Sequence, residues 1–345
     1  MKQVVGSLGR LWKKPLVRAA TSALILLVIF TQLPLSSFWD AISRISITVW
    51  LSAVAVFLAA HMLAVVKWGI LIGARRGGVT FGELVRCHFA GLFANMFLPS
   101  VAGGDFVRAG MALRLTSRKE ATVLGSVFDR MLDIFALATF VLLAAFLSAG
   151  DVSASARILL TWVGIGFAAG MLGGLLVLTL PLPRFVPEKV VRIRMQIRAS
   201  VAELLRHPAY VAAAIALSIG IQGLFVLVNA HLGASLGIEA SLLAWFFAWP
   251  LAKLSATVPV SLGGLGVREA ALGVFLQQFG VPLAHAVAVG LLWQTVLMAG
   301  SAVGGLVQLL PGRRRISVQT LPQDRAAARP GDERISSFTA ESLSN

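Results

Sequence analysis

Two arginines follow matching glycine-rich segments in distant parts of the chain. Arg108 ends the segment Pro-Ser-Val-Ala-Gly-Gly-Asp-Phe-Val-Arg, and Arg268 ends the segment Pro-Val-Ser-Leu-Gly-Gly-Leu-Gly-Val-Arg. A guanidinium fork matches a phosphate, and backbone N–H groups at the start of a helix also bind anions, so the two segments predict an anion site. The candidate substrate-binding residues are Asn95, Pro99, Gly103, Gly104, Asp105, Arg108, Asp129, Arg130, Pro259, Gly263, Gly264, Arg268 and Glu269.

The same arginines have a second interpretation, in which they are structural. Arg108 has Asp105 and Asp129 as candidate partners, and Arg268 is followed by Glu269. Charged residues in membrane segments usually face a cavity or one another, so each arginine can belong either to a substrate clamp or to a buried ion pair. The acids Asp129 and Asp133 share a helix face, which fits a structural network or a proton relay.

Other polar and aromatic residues interrupt the apolar runs. Lys67 and Lys253 are further charged residues of this kind. For the amides and histidines we expect hydrogen bonds between helices; these residues are Asn95, Gln222, Asn229, Gln294 and the pair His61 and His231. Trp50 and Trp68 lie near predicted span ends and are expected to be interfacial anchors.

Several kinds of chemistry have no support in the sequence. The single cysteine, Cys87, excludes an intramolecular disulfide and a cysteine-rich metal site. The sequence contains no nucleophile paired with a base, no Walker loop and no zincin spacing. We therefore expect no enzymatic activity, no cofactor and no metal ion.

The composition is that of a membrane protein. Hydrophobic residues make up 57% of the chain and charged residues 13%, with a mean hydropathy of +0.85, whereas soluble domains are about 25% charged. Each apolar run approaches or exceeds the ~20 residues that span a bilayer; the runs are 19–35, 47–73, 121–149, 158–180, 210–232 and 281–310. The sequence predicts an all-α polytopic membrane protein with about six full transmembrane helices.

The basic residues set the expected orientation. The chain carries a formal charge of +15, concentrated in residues 1–18, in the connection 184–206 and after residue 312. Positive loops stay in the cytoplasm, so we expect a multi-pass protein of a bacterial inner membrane with both termini cytoplasmic. Because these charges flank apolar spans, they indicate contact with lipid headgroups and no nucleic-acid binding. The polar segment 316–345 is expected to be a disordered cytoplasmic tail.

Two further apolar segments, 81–99 and 240–259, end at the glycine-rich motifs. If the first crossed the membrane, Arg114, Arg118 and Lys119 would lie outside, so the positive-inside rule favours a re-entrant hairpin. The second segment is expected to form a hairpin from the opposite side. Residues 19–149 and 158–310 then share the order span, span, hairpin, span. Each unit crosses the membrane three times, so the second is predicted to be an inverted copy of the first.

The residues of these motifs also carry a family resemblance. Segments 95–108 and 258–269, together with the pair Asp129-Arg130, resemble the lysylphosphatidylglycerol synthase transmembrane region family. That family includes the flippase domain of the multiple peptide resistance factor, which moves aminoacylated phosphatidylglycerol between leaflets. The resemblance implies a flippase-like membrane fold. It does not imply synthase activity, because the chain lacks the large soluble aminoacyl-transferase domain.

Three functions remain open at this point. The first is a flippase for an anionic lipid or a lipid-linked intermediate, with membrane lipids as the partners. The second is a secondary transporter for a small solute or an ion, which an inverted repeat fits equally well. The third is a non-transporting partner of a membrane-bound lipid-modifying enzyme or glycosyltransferase. The sequence does not indicate an oligomeric state.

Overall fold

The computed structural model describes residues 45–98, 103–147, 187–257 and 264–310, together with five isolated positions between 165 and 176. These residues form helices and no strands, which confirms the all-α class. The helices are α1 (Ile47–Leu71), α2 (Phe81–Ala94), α3 (Gly103–Leu113), α4 (Lys119–Leu147), α5 (Glu188–Leu205), α6 (Pro208–Ser235), α7 (Leu242–Ser255), α8 (Val267–Gln277) and α9 (Leu283–Leu309).

Four of these helices are long and apolar enough to cross a membrane. Helices α1, α4, α6 and α9 have 25, 29, 28 and 27 residues, and at 1.5 Å per residue each exceeds the ~30 Å hydrocarbon core. They confirm the predicted spans 47–73, 121–149, 210–232 and 281–310. The predicted spans 19–35 and 158–180, the N-terminal segment 1–18 and the tail 316–345 lie outside the described residues.

The remaining apolar helices form two pairs. Helices α2 and α3 have 14 and 11 residues and pack on each other, as do α7 and α8, also with 14 and 11 residues. A 14-residue helix is only about 21 Å long, so none of the four spans a bilayer alone. The connections 99–102 and 258–263 lie outside the described residues, and with them Pro99, Pro259 and Gly263.

The first pair returns to the end of the molecule from which it starts. The N–H of Ser117, after α3, donates a hydrogen bond of 3.2 Å to the carbonyl of Gly77, before α2. Thr80 and Glu83 begin α2 with a capping box, in which Glu83 accepts the Thr80 N–H at 2.8 Å. Helices α2 and α3 therefore form the hairpin that the charge pattern predicts.

Each hairpin packs on the last long helix of the other half. Helix α2 lies along α9 and α7 lies along α4, while α1 packs on α6. The α2–α9 contact includes polar bonds: Arg86 donates to the carbonyl of Leu310 at 2.7 Å, and Ser301 donates to the carbonyl of Leu92 at 3.0 Å. The two halves thus share one interior.

An aromatic cluster fills the centre of that interior. The ring of Trp293 lies 5.1 Å from Trp249, 5.6 Å from Phe57 and 5.8 Å from Phe225, all between ring centroids. The four rings come from α9, α7, α1 and α6, and each is at most 6% exposed. Edge-to-face contacts of this kind stabilise a packed core, and this core supports the polar residues described next.

Candidate functional site

A buried charge cluster joins α1, α3 and α4. Asp129 lies at its centre, with Arg108 Nη2 2.9 Å from one carboxylate oxygen and Lys67 Nζ 3.0 Å from the other. The Lys67 amine also lies 2.5 Å from Asp133. Lys67, Arg108 and Asp129 are 1%, 4% and 3% exposed. Since a single buried charge is costly in lipid, the close pairing explains how these residues are accommodated.

Asp105 extends the cluster toward the surface. Its carboxylate accepts two hydrogen bonds from Arg130, at 2.5 and 2.6 Å, and lies 3.1 Å from Arg108. The Arg130 side chain is 43% exposed, so it marks the outer end. The cluster contains three cations and three carboxylates and has no net charge; its members are Lys67, Arg108, Arg130, Asp105, Asp129 and Asp133.

An indole and an imidazole flank Arg108. The guanidinium carbon lies 4.7 Å from the centre of the Trp68 ring, and the Trp68 indole N–H donates to Ser126 at 3.0 Å. Trp68 is fully buried, so its predicted role as an interfacial anchor is wrong. Arg108 Nη1 lies 3.3 Å from His88 Nδ1. Arginine only donates, so His88 Nδ1 accepts.

Both histidines make the predicted contacts between helices, each with a different partner. With Nδ1 as an acceptor, neutral His88 carries its proton on Nε2, which donates to His61 Nδ1 at 3.0 Å. His61 therefore pairs with His88, and His231 lies instead 3.4 Å from Ser52. Two histidines thus form a hydrogen-bonded chain that ends on Arg108.

The second hairpin contains a smaller cluster. Arg268 donates to Glu269 at 2.6 and 3.1 Å and to Gln294 on α9 at 2.7 Å. The other Glu269 oxygen accepts the N–H of Gly266 at 2.6 Å. Arg268 is 5% exposed and Glu269 is fully buried, so this ion pair also closes the first turn of α8.

The glycines of the motifs allow close backbone packing. A Cβ at Gly104 would overlap the carbonyl oxygen of Gly91, and Gly264 and Gly266 have φ values of +80° and +85°, which favour glycine. The Gly104 N–H, which we expected to face an anion, donates instead to Asn95 Oδ1 at 2.8 Å. Asn95 thereby makes one of the predicted hydrogen bonds between helices.

One helix face connects the two halves of the site. Ser218 and Gln222 lie one turn apart on α6, where Ser218 accepts from Lys67 at 3.1 Å and Gln222 accepts from Lys253 at 2.7 Å. The Lys253 amine also lies 4.6 Å from the centre of the Phe225 ring. The lysine is half-buried on α7, and within the described parts of the chain it has no acidic partner.

Of the three other amides predicted to bond between helices, two do so and one does not. Gln222 and Gln294 each bond to another helix through Lys253 and Arg268. Asn229 is the exception, because its amide donates to the carbonyl of Phe225 on its own helix at 2.8 Å. A short polar side chain satisfies a preceding carbonyl of the same helix readily, which explains the difference.

The two arginines occupy separate clusters. The described partners of Arg108 all come from the first half, those of Arg268 all come from the second, and both arginines have the ion pairs of the structural interpretation. The predicted site set omits Lys67, Lys253 and His88. A charge within an apolar run is the signal that marks the two lysines, whereas His88 is found through its contacts. Among the described residues, no group of three His, Cys, Asp or Glu side chains is placed to hold a metal ion.

The Lysylphosphatidylglycerol synthase TM region family matches residues 16–305 of the chain. The chain belongs to this family. Neither the curated proteins nor the solved structures contain a significant match to it. Family membership and the four spanning helices agree on a multi-pass membrane protein of the flippase-like domain type.

Proposed function

We propose that this protein is a flippase-like transporter that moves an anionic lipid or a lipid-linked intermediate between the leaflets of a bacterial inner membrane. The observation that carries the proposal is Lys253. The two charge clusters contain four cations and four carboxylates, and all eight of these groups form ion pairs. Lys253 adds a fifth cation. It is the surplus cation.

The surroundings of Lys253 suit the headgroup of a lipid. An ammonium group in the membrane interior is costly without an anion, and a phosphate would supply one. Gln222 adds a polar contact beside the amine, and the Phe225 ring of the buried aromatic cluster lies 4.6 Å from it. The headgroup would then lie between the two halves of the protein.

The packing of the helices supports an alternating mechanism. The contact of α2 with α9 corresponds to that of α7 with α4, and α1 meets its counterpart α6. If each helix is replaced by its counterpart in the other half, the same set of helix contacts results, as an inverted repeat requires. In the proposed arrangement both termini are cytoplasmic, and rocking of one half against the other exposes Lys253 to each leaflet in turn.

Leaflet exchange in proteoliposomes tests the proposal. We expect the full-length protein to accelerate the exchange of fluorescent phosphatidylglycerol over fluorescent phosphatidylcholine. Lys253→Gln should slow this exchange about tenfold, since a hydrogen bond to a charged group contributes about 1.5–3 kcal/mol, and Lys253→Arg should retain most of it. Neither change should lower thermal stability. Lys119→Gln removes an exposed lysine at the start of α4 and is the matched control.

Equal exchange by the wild type and Lys253→Gln would contradict the proposal. If no lipid is exchanged and the protein co-purifies with a membrane glycosyltransferase or a lipid-modifying enzyme, it is the non-transporting partner instead.

One observation favours the second candidate, a secondary transporter for a small solute. His61 and His88 form a hydrogen-bonded pair in the membrane interior, and Arg108 lies between this pair and Asp129. Histidines and acids at membrane depth carry protons in pumps and transporters. Proton uptake that accompanies a water-soluble substrate and persists without lipid exchange would establish this alternative.

A further inference from the structure

A cavity of about 560 Å³ has no lining residue from either charge cluster. It is bounded by the end of α1, the start of α4, the start of α6 and the loop between α1 and α2. Its walls are largely apolar and include Val66, Ile70, Leu84, Leu124 and Phe128. Arg75, Arg76, Arg118 and His207 line it as well. The cavity therefore combines an apolar interior with a basic edge.

The cavity reaches the lipid-facing surface. Val66, Phe81 and Tyr210, which line it, are 41%, 52% and 50% exposed. Three helices that can cross the membrane begin or end beside it, so it lies at the level of the membrane–water interface. An amphipathic molecule in the leaflet can enter it sideways.

A second cavity of about 470 Å³ continues the basic edge. It shares Arg76 and His207 with the first and adds Arg206 and small residues of α5. Arg76 Nη2 donates to His207 Nε2 at 2.8 Å, which holds the two side chains together. None of the described residues that line either cavity is acidic. We call the two cavities together the basic-end pocket.

We propose that the basic-end pocket binds one anionic glycerophospholipid from the adjacent leaflet. The phosphate would lie among the arginines, whose guanidinium groups form two-point bonds with phosphate oxygens. The first part of an acyl chain would lie against the apolar wall, where burial of apolar surface favours binding. The inference does not rest on the proposed transport, since the pocket contains neither Lys253 nor any residue of the two charge clusters.

Binding to the purified full-length chain in detergent tests the inference. With Lys253→Gln as the background for every variant, so that the proposed transport site does not contribute, native mass spectrometry should detect one tightly bound phosphatidylglycerol per chain and much weaker binding of phosphatidylcholine. Arg75→Gln combined with Arg76→Gln should weaken phosphatidylglycerol binding at least tenfold. Leu124→Trp fills the apolar wall without changing charge and should weaken it similarly. Arg114→Gln combined with Lys119→Gln removes two exposed charges outside the pocket and should change binding less than twofold.

Three outcomes would overturn the inference. Equal affinity for the two lipids would mean ordinary annular lipid, and an equal loss in the control pair would mean general surface attraction. Unchanged binding in Leu124→Trp would place the lipid elsewhere. If one variant fails to fold by thermal unfolding, the other two decide. Lys253→Gln should bind normally at this pocket, so failure here and failure of leaflet exchange are distinguishable.

Discussion

Asp129 connects two buried cations through one carboxylate. Arg108 and Lys67 approach different oxygens of this group, at 2.9 and 3.0 Å. Arg108 also lies near Asp105, but Asp105 forms its shorter, two-point contact with Arg130. The structural partner of Arg108 is therefore Asp129. Removing one member of a buried ion pair leaves an uncompensated charge and costs about 3–5 kcal/mol.

A double-mutant cycle tests this pairing. Arg108→Gln and Asp129→Asn should each lower the free energy of unfolding by about 3–5 kcal/mol, and the double variant should recover most of the loss. Arg108→Gln combined with Asp105→Asn is the control. This pair should recover much less, because the loss of the Asp105 carboxylate removes the partner of Arg130. Additive effects in the first cycle, measured by denaturation in detergent, would contradict the assignment.

The same variants separate structure from substrate binding. The double variant should be stable enough for a lipid-binding measurement. If Arg108 belongs to a substrate clamp, this variant should bind anionic lipid poorly although it folds. Normal lipid binding would assign Arg108 to structure alone and leave Lys253 as the headgroup-binding cation.

At the scale of elements, two glycines determine how closely α2 and α3 pack. Gly91 on α2 faces Gly104 on α3, and a Cβ at either position would overlap the backbone of the other helix. A small residue at a helix interface allows the backbones to approach. The close approach also places Asn95 within 2.8 Å of the Gly104 N–H, so packing and capping depend on each other.

Gly91→Ala therefore has an expected cost. The added methyl group should force α3 away from α2 and lower the free energy of unfolding by about 1–3 kcal/mol, the usual range for overpacking. Gly82→Ala on the same helix meets open space and should be neutral or stabilising by up to about 1 kcal/mol, because alanine favours the helix. Equal effects of the two changes on thermal stability would show that the α2–α3 contact is not tight.

The elements were more predictable than their contacts. The four long helices match their predicted spans within a few residues, since more than 20 consecutive apolar residues have few alternatives. The pairing of Asp105 with Arg130, and of His61 with His88, was not predicted. Such choices depend on how α3 packs on α4 and α1 on α2, and several partners have similar spacing in the sequence. The role of Trp68 was missed for the same reason, because only packing shows that its ring faces Arg108.

At the scale of the whole molecule, the helix contacts limit the topology. Ser117 bonds to Gly77, so the segments before α2 and after α3 lie at one end of the molecule. Arg86 in the second turn of α2 bonds to the carbonyl of Leu310, which follows α9. The end of α9 therefore lies at this same end. Arg75 and Arg118 are also there, so by the positive-inside rule we expect this end to be cytoplasmic.

Cysteine labelling tests that orientation. Cys87 is fully buried, and Cys87→Ala provides a background without other thiols. In intact cells, an impermeant maleimide should not label Ser117→Cys but should label Glu239→Cys, which precedes α7; both positions are exposed. After the membrane is opened, both should react, and this controls for access.

Labelling of Ser117→Cys from outside would mean that the loop between α3 and α4 faces the periplasm. Because the bond to Gly77 places the α1–α2 loop at the same end, that result would reverse the orientation of the whole molecule. Labelling at neither position in intact cells would leave Glu239 cytoplasmic and exclude the inverted second half.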